Sequence, residues 1–138
     1  MKAVVLYATM TGHSRKIARA IAEKLDLAVF DLQTQPQLPP CDWLILVSGI
    51  YGGESKTELL EYIRQLPPEQ AGKVLLVTSS TRGLAQGGLH DALSSSGHTL
   101  AGEYLCKGSF LFMAWGHPNA GEIEGAVQFV KGKLDGTA

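Results

Sequence analysis

"YATMTGHSRKIA", residues Tyr7–Ala18, joins two different patterns within twelve positions. Before it, "AVVLYA" (Ala3–Ala8) is a continuous, β-branched apolar run, as expected for a strand buried on both faces. After it, "HSRKIARAIAEKL" places Ile17, Ile21 and Leu25 at four-residue spacing with alanines beside them, which predicts an amphipathic helix. Between the two lies a short segment dense in hydroxyls, Thr9, Thr11 and Ser14, around Gly12. A helix start presents unpaired N–H groups and a partial positive charge, so this segment suits a phosphate. Gly12 lets the backbone come close to such a group. The same hydroxyls also serve a plain helix start, with Ser14 or Thr11 as N-cap. No Lys follows the glycine in the Walker pattern and no G-x-G-x-x-G is present, so neither a P-loop nucleotidase nor a dinucleotide fold is supported.

The alternation continues along the chain. "LAVFDL", "DWLILVSG", "GKVLLVTSS" and "HTLAGEYLCKG" read as strands. "TELLEYIRQL", ended by Pro67 and Pro68, and "LHDALSSSG", stopped by Gly97, read as helices. In the last helix, "AGEIEGAVQFVKGKL", Ile123, Val127, Val130 and Leu134 line one side, and Asn119 with Glu122 resembles a capping box at its start. "QTQPQLPPCD" reads as a loop and places Cys41 in it. Five strands alternating with helices require crossovers. They predict an α/β fold, a doubly wound parallel sheet in the order 2-1-3-4-5 with helices on both faces, as one domain over residues 1–138. Ligands of such sheets bind at the carboxyl ends of the strands, where the order reverses. The loops after the first, third and fourth strands are the candidates.

Composition narrows the function. With 45% hydrophobic and 18% charged residues the chain can bury a core and is not disordered. A net charge of −1, with both signs mixed, leaves no electrostatic footprint for nucleic acid or a membrane surface. No apolar run is long enough to span a bilayer. Two cysteines without a motif and no secretory pattern lead us to expect free thiols in the cytoplasm. His13, His90, His98 and His117 lack metal-ligand spacing and are expected at surface or loop positions. No G-x-S-x-G elbow occurs, and no catalytic residue or metal ligand is assigned.

The segment Thr9, Met10, Thr11, Gly12, His13, Ser14 resembles the phosphate loop of flavodoxins, T-x-T-G-x-S/T after the first strand, with His13 in place of the usual Asn. The closing segment from Gly116 is also similar to the end of small flavodoxins, and the fifth strand carries no insertion, as in the short-chain type. The resemblance implies FMN as cofactor. It implies that Ile50, Tyr51, Gly52 and Gly53 flank the flavin ring, with Tyr51 stacking on it and Gly52 as the peptide that turns over on reduction. It implies that Ser79, Ser80, Thr81, Arg82 and Gly83 meet the pyrimidine edge. Tyr51 packed on a neighbouring helix and a plain turn at Gly52 are the competing readings.

Two classes of function follow from the resemblance: a small electron carrier between redox partner proteins, or an FMN oxidoreductase such as a quinone reductase or a protoporphyrinogen-oxidase-like protein. A flavodoxin-fold protein with weak FMN binding is the third. The short chain, without an insertion to build a substrate pocket, favours the carrier. "SFLFMAWG" gathers Phe110, Phe112 and Trp115 after the fifth strand, either as core beneath the last helix or as a docking patch. The three loops hold a single acid, Glu54, against Arg82. This predicts a lower one-electron couple less negative than in acidic flavodoxins.

Overall fold

The computed structural model describes residues 2–8, 13–34, 36–49, 57–80, 87–107 and 120–136. Strands β1 (Ala3–Tyr7), β2 (Ala28–Asp31), β3 (Cys41–Gly49), β4 (Ala71–Ser80) and β5 (Leu100–Lys107) are joined with helices α1 (His13–Leu25), α2 (Thr57–Gln65), α3 (Gly87–Ser95) and α4 (Ala120–Leu134) in the order β1-α1-β2-β3-α2-β4-α3-β5-α4, so the expected alternation of strand and helix is broken once, between β2 and β3. All four strand pairings are parallel and the sheet order is β2-β1-β3-β4-β5, as expected. Two short 3-10 turns, Leu32–Thr34 and Pro68–Gln70, lead toward β3 and β4.

Side chains alternate along each central strand, and both faces are apolar, so each face needs its own helical layer. Val4, Leu6, Leu44, Leu46, Val74 and Leu76 meet Leu59 and Ile63 of α2 and Leu89, Ala92 and Leu93 of α3. The intervening Val5, Tyr7, Ile45, Val47, Leu75 and Val77 meet Ile17, Ala18, Ile21 and Ala22 of α1 and Ala126, Val127 and Val130 of α4. Burying each such Leu, Ile or Val contributes roughly 1.5–3 kcal/mol. The stripe read in α1 is therefore the face that packs. Its opposite side, Arg15, Lys16, Arg19, Glu23 and Lys24, is exposed. Val127 and Val130 of α4 are buried and Ile123 and Leu134 half-buried against the same layer.

Three helices end on left-handed residues, Asp26 after α1, Gly97 after α3 and Gly136 after α4. Gly97 has φ +81° and follows α3; its N–H donates to the Ser94 carbonyl at 3.1 Å and the His98 N–H to the Leu93 carbonyl at 2.9 Å. This is the glycine stop read in the sequence. After α1 the left-handed residue is Asp26, φ 57°, with the Leu27 N–H donating to the Ala22 carbonyl at 2.8 Å. Asp tolerates this conformation better than most residues with a Cβ.

Two sequence readings change. Cys41 is the first residue of β3 and not part of a loop, because Asp42 and the Lys2 backbone draw the chain into the sheet: the Asp42 N–H donates to the Lys2 carbonyl at 2.8 Å. The histidines are not all peripheral. His98 is buried, and its Nε2–H donates to the Leu66 carbonyl at 3.0 Å, tying the start of β5 to the end of α2. Asn119, of the capping box, lies outside the described residues.

Helix α4 sits close on β5 because Gly125 has no side chain. A Cβ there would lie 3.0 Å from Tyr104 Cζ and closer still to its hydroxyl, and the Tyr104 ring is held against Phe129 at 5.6 Å between centroids. Gly125→Ala gains about 1 kcal/mol of helix propensity. Overpacking costs about 1–3 kcal/mol, so the variant should be less stable in chemical denaturation. The Cys41 thiol, a free cysteine, has its pKa pushed above the ordinary 9.0 by burial first and by the neighbouring Asp42 carboxylate second, with Lys2 opposing. Its alkylation by iodoacetamide should be slow at neutral pH, and its rate should rise through a midpoint above 9.0.

Candidate functional site

Parallel pairing sets three strand ends side by side. Tyr7 pairs with Val47 and Val47 with Val77, so β1, β3 and β4 run level toward their carboxyl ends. Past this level the Ala8 N–H donates to the Val47 carbonyl at 3.0 Å. Next across the sheet come Ser48 beside Thr78 and Gly49 beside Ser79. Since β1 lies between β2 and β3, chain crossovers leave it in opposite directions, and this is the switch point of the fold. The three segments singled out from the sequence therefore leave adjacent strands at one edge.

The residues within those segments divide in two. Thr9, Met10, Thr11, Gly12, Ile50, Tyr51, Gly52, Gly53, Thr81, Arg82 and Gly83 lie outside the described residues, as do Phe110, Phe112 and Trp115. His13 and Ser14 open α1, and Ser79 and Ser80 close β4.

Ser14 carries the most information. It is fully buried, and its Oγ has no hydrogen-bond partner among the described residues. A buried hydroxyl without a partner costs roughly 1–3 kcal/mol relative to one that is paired. Ser14 stands in the first turn of a thirteen-residue helix whose first turn contains no acid. An anion placed before α1 would accept from this hydroxyl and meet the unpaired N–H groups, with no carboxylate in that turn to repel it. The donor set thus fits a phosphate ester.

A second polar group lies deeper at the same edge, on the face covered by α2 and α3. Ser48 and Thr78 are both fully buried, and Ser48 Oγ also lacks a partner among the described residues. The Thr78 hydroxyl donates to Glu103 Oε2 at 2.6 Å. His90 Nε2 lies 2.8 Å from Glu103 Oε1. An ionised carboxylate only accepts, so the proton of that bond belongs to His90. Sequence reading missed this group. Glu103 sits inside β5 and His90 inside α3, and no spacing along the chain links thirteen residues across a turn.

Other parts of the molecule offer less. A crevice of about 200 Å³ opens at the amino ends of the strands, lined by Pro36, Leu38, Tyr62, Leu66, Pro67 and Gln70 among others. Two of its polar side chains are engaged with backbone: the Tyr62 hydroxyl donates to the Pro36 carbonyl and Gln70 Nε2 to the Leu38 carbonyl at 3.1 Å. Burial raises the Tyr62 pKa, which a backbone hydrogen bond at Leu38 partly offsets, so the phenol stays protonated near neutrality. Among the described residues no group of three or more His, Cys, Asp or Glu could hold a metal ion, and no helix is long and apolar enough to cross a membrane.

An uncharacterized protein of Methanocaldococcus jannaschii is 26% identical over 148 aligned positions, covering 97% of this chain and 99% of its own. A short-chain flavodoxin associated with a PDU bacterial microcompartment superposes with a TM-score of 0.72 over 100% of both chains at 20% identity. A flavoprotein of Lactobacillus acidophilus, solved in complex with FMN, superposes with a TM-score of 0.60 over 75% of this chain and 92% of its own at 14% identity. At these identities the structural likeness establishes the fold. The model of the flavodoxin domain family matches residues 4–85, the stretch that holds β1, β3, β4 and the segments between them. With that match over more than half of its length, the chain belongs to the flavodoxin domain family.

Proposed function

We propose that this protein binds FMN at the carboxyl ends of β1, β3 and β4 and works as a small electron carrier between redox partner proteins. The observation that carries the reading is the buried hydroxyl of Ser14 at the start of α1, which has no partner among the described residues. It belongs to the segment whose sequence fits a flavodoxin phosphate loop, and a phosphate supplies the acceptor it lacks. The FMN complex of a protein with the same fold supports the choice of cofactor.

Ser14, with the first N–H groups of α1 and the hydroxyls of Thr9 and Thr11, would hold the phosphate. Tyr51 would cover one face of the flavin ring, and the residues from Ser79 to Gly83 would supply donors to its pyrimidine edge. Bound FMN supplies one-electron and two-electron redox chemistry. The chain's own part is to orient the ring, to exclude water from all but one edge and to set its charge environment. An uninterrupted β5 of eight residues adds no wall above the strand ends. That favours an open edge for electron transfer over an enclosed substrate pocket. Docking would then use the apolar segment with Phe110, Phe112 and Trp115, and the protein would work in the cytoplasm.

Ser14→Ala separates binding from folding. Removing an unpartnered buried hydroxyl should leave the flavin-free protein as stable as wild type, or more stable by up to ~1 kcal/mol. FMN should bind roughly tenfold more weakly, about 1.4 kcal/mol. Calorimetry together with a flavin fluorescence titration reads both; equal affinity in the two proteins removes the phosphate from this site. Gly12→Asp sets a carboxylate against the phosphate and should abolish binding in the same titration.

Spectroelectrochemistry of Arg82→Glu should move the lower one-electron couple to a more negative potential, since an acid disfavours a reduced, anionic flavin. Trp115→Ala should slow reduction by a partner reductase while the flavin spectrum stays unchanged. Turnover of quinones with NAD(P)H, in the absence of any partner protein, would instead identify an enzyme.

A further inference from the structure

The hydrogen-bonded set on the α3 side of the sheet has an open end and a closed one. The His90 side chain is 36% exposed, that of Glu103 is 12% exposed, and Thr78 is fully buried. His90 Nε2–H donates to one carboxylate oxygen at 2.8 Å and the Thr78 hydroxyl to the other at 2.6 Å. Thr78 stands two residues before the end of β4, about 7 Å at the rise of a parallel strand. Its register partner on β3 is Ser48, fully buried, whose hydroxyl lacks a partner among the described residues.

A structural role explains this poorly. The level before it on the same face is apolar across β1, β3 and β4, at Leu6, Leu46 and Leu76, and it is Glu103 of β5, in register with Leu76, that breaks this apolar row. A carboxylate withdrawn from water is costly unless paired, and apolar residues of similar volume often serve stability as well or better. A carboxylate hydrogen-bonded on one side to a half-exposed imidazole and on the other to a buried hydroxyl is the arrangement by which protons move between solvent and interior.

We propose that His90, Glu103 and Thr78 form a proton path from solvent to the carboxyl edge of β3 and β4. From a doubly protonated His90 the Nε2 proton passes to Glu103 Oε1, leaving a neutral imidazole and a neutral carboxylic acid. The carboxyl group turns about its Cγ–Cδ bond and hands that proton to Thr78 Oγ. As it does so, the hydroxyl proton of Thr78 moves on, directly or relayed through the Ser48 hydroxyl, to a basic atom at the strand ends, and the neutral His90 regains a proton from solvent. No electron moves along the path, and its net effect is to neutralise negative charge at that edge. Its destination, a flavin that gains negative charge on reduction, rests on the function proposed above; the path itself does not.

The test therefore begins with flavin-free protein. Exchange of the Thr78 hydroxyl proton with water, followed by NMR, should be at least tenfold slower in Glu103→Gln than in wild type, because an amide cannot carry the proton. His90→Gln, at a half-exposed position that tolerates change, should slow it equally, and added imidazole should restore exchange in His90→Ala. Unfolding midpoints confirm that each variant is folded. Equal exchange in wild type, Glu103→Gln and His90→Gln overturns the path whether or not FMN binds.

The second arm uses FMN-loaded protein and an indicator dye during photoreduction. Proton uptake in Glu103→Gln should lag at least tenfold, with FMN affinity within twofold of wild type. Unchanged uptake there, with exchange slowed in the first arm, overturns the flavin as destination. Failure of wild type to bind FMN overturns the function proposed above and leaves the first arm to decide the path.

Discussion

Parallel pairing is the constraint from which the rest of this structure follows. Parallel strands cannot be joined by tight turns, so each connection crosses over and returns to the same end of the sheet, through α1, α2 and α3 for three of them and through the 3-10 turn Leu32–Thr34 between β2 and β3. The carboxyl ends of β1, β3 and β4 are brought level by the pairing of Tyr7 with Val47 and Val47 with Val77. Whatever leaves those strands is gathered at one edge. The same pairing makes the strands apolar on both faces, which obliges α1 and α4 to cover one face and α2 and α3 the other.

Polar residues stand out against that background. Among the buried residues described, only Ser14, Ser48, Thr78 and His98 are polar. His98 holds a loop to the end of α2 through a backbone carbonyl. The other three lie at the carboxyl edge, and two of them have hydroxyls with no partner among the described residues. Burial without a partner is a cost that folding alone would avoid. Of the three such atoms among the described residues, Ser14 Oγ and Ser48 Oγ lie at the edge where α/β sheets take their ligands, and the third is His98 Nδ1.

Charge at this edge has two sources that differ in kind. Arg82, in the segment after β4, was visible as a cation near the expected ligand. Glu103 was not, since it lies within β5 and reaches the edge only through Thr78 and His90. A carboxylate largely withdrawn from water is screened less than a charge in solvent, so the acid count of the loops alone does not describe the field a ligand would feel.

The amino-acid sequence by itself determined the elements and their order. The four-residue spacing of Ile17, Ile21 and Leu25 set the span of α1, the β-branched runs set the strands, and Gly97 set the end of α3. These are local effects of periodicity and backbone freedom, so they are written locally. The motif from Thr9 to Ser14 likewise marked a strand-to-helix turn suited to a phosphate. Only the tertiary structure decided which side chains share an interior. It placed Cys41 in β3, withdrew His98 from solvent, left the hydroxyls of Ser14 and Ser48 without partners among the described residues and drew Thr78, Glu103 and His90 together from three elements. Whether a polar group is buried and what it meets depend on strand register and on helices packed from distant parts of the chain, and no short window of sequence contains that information.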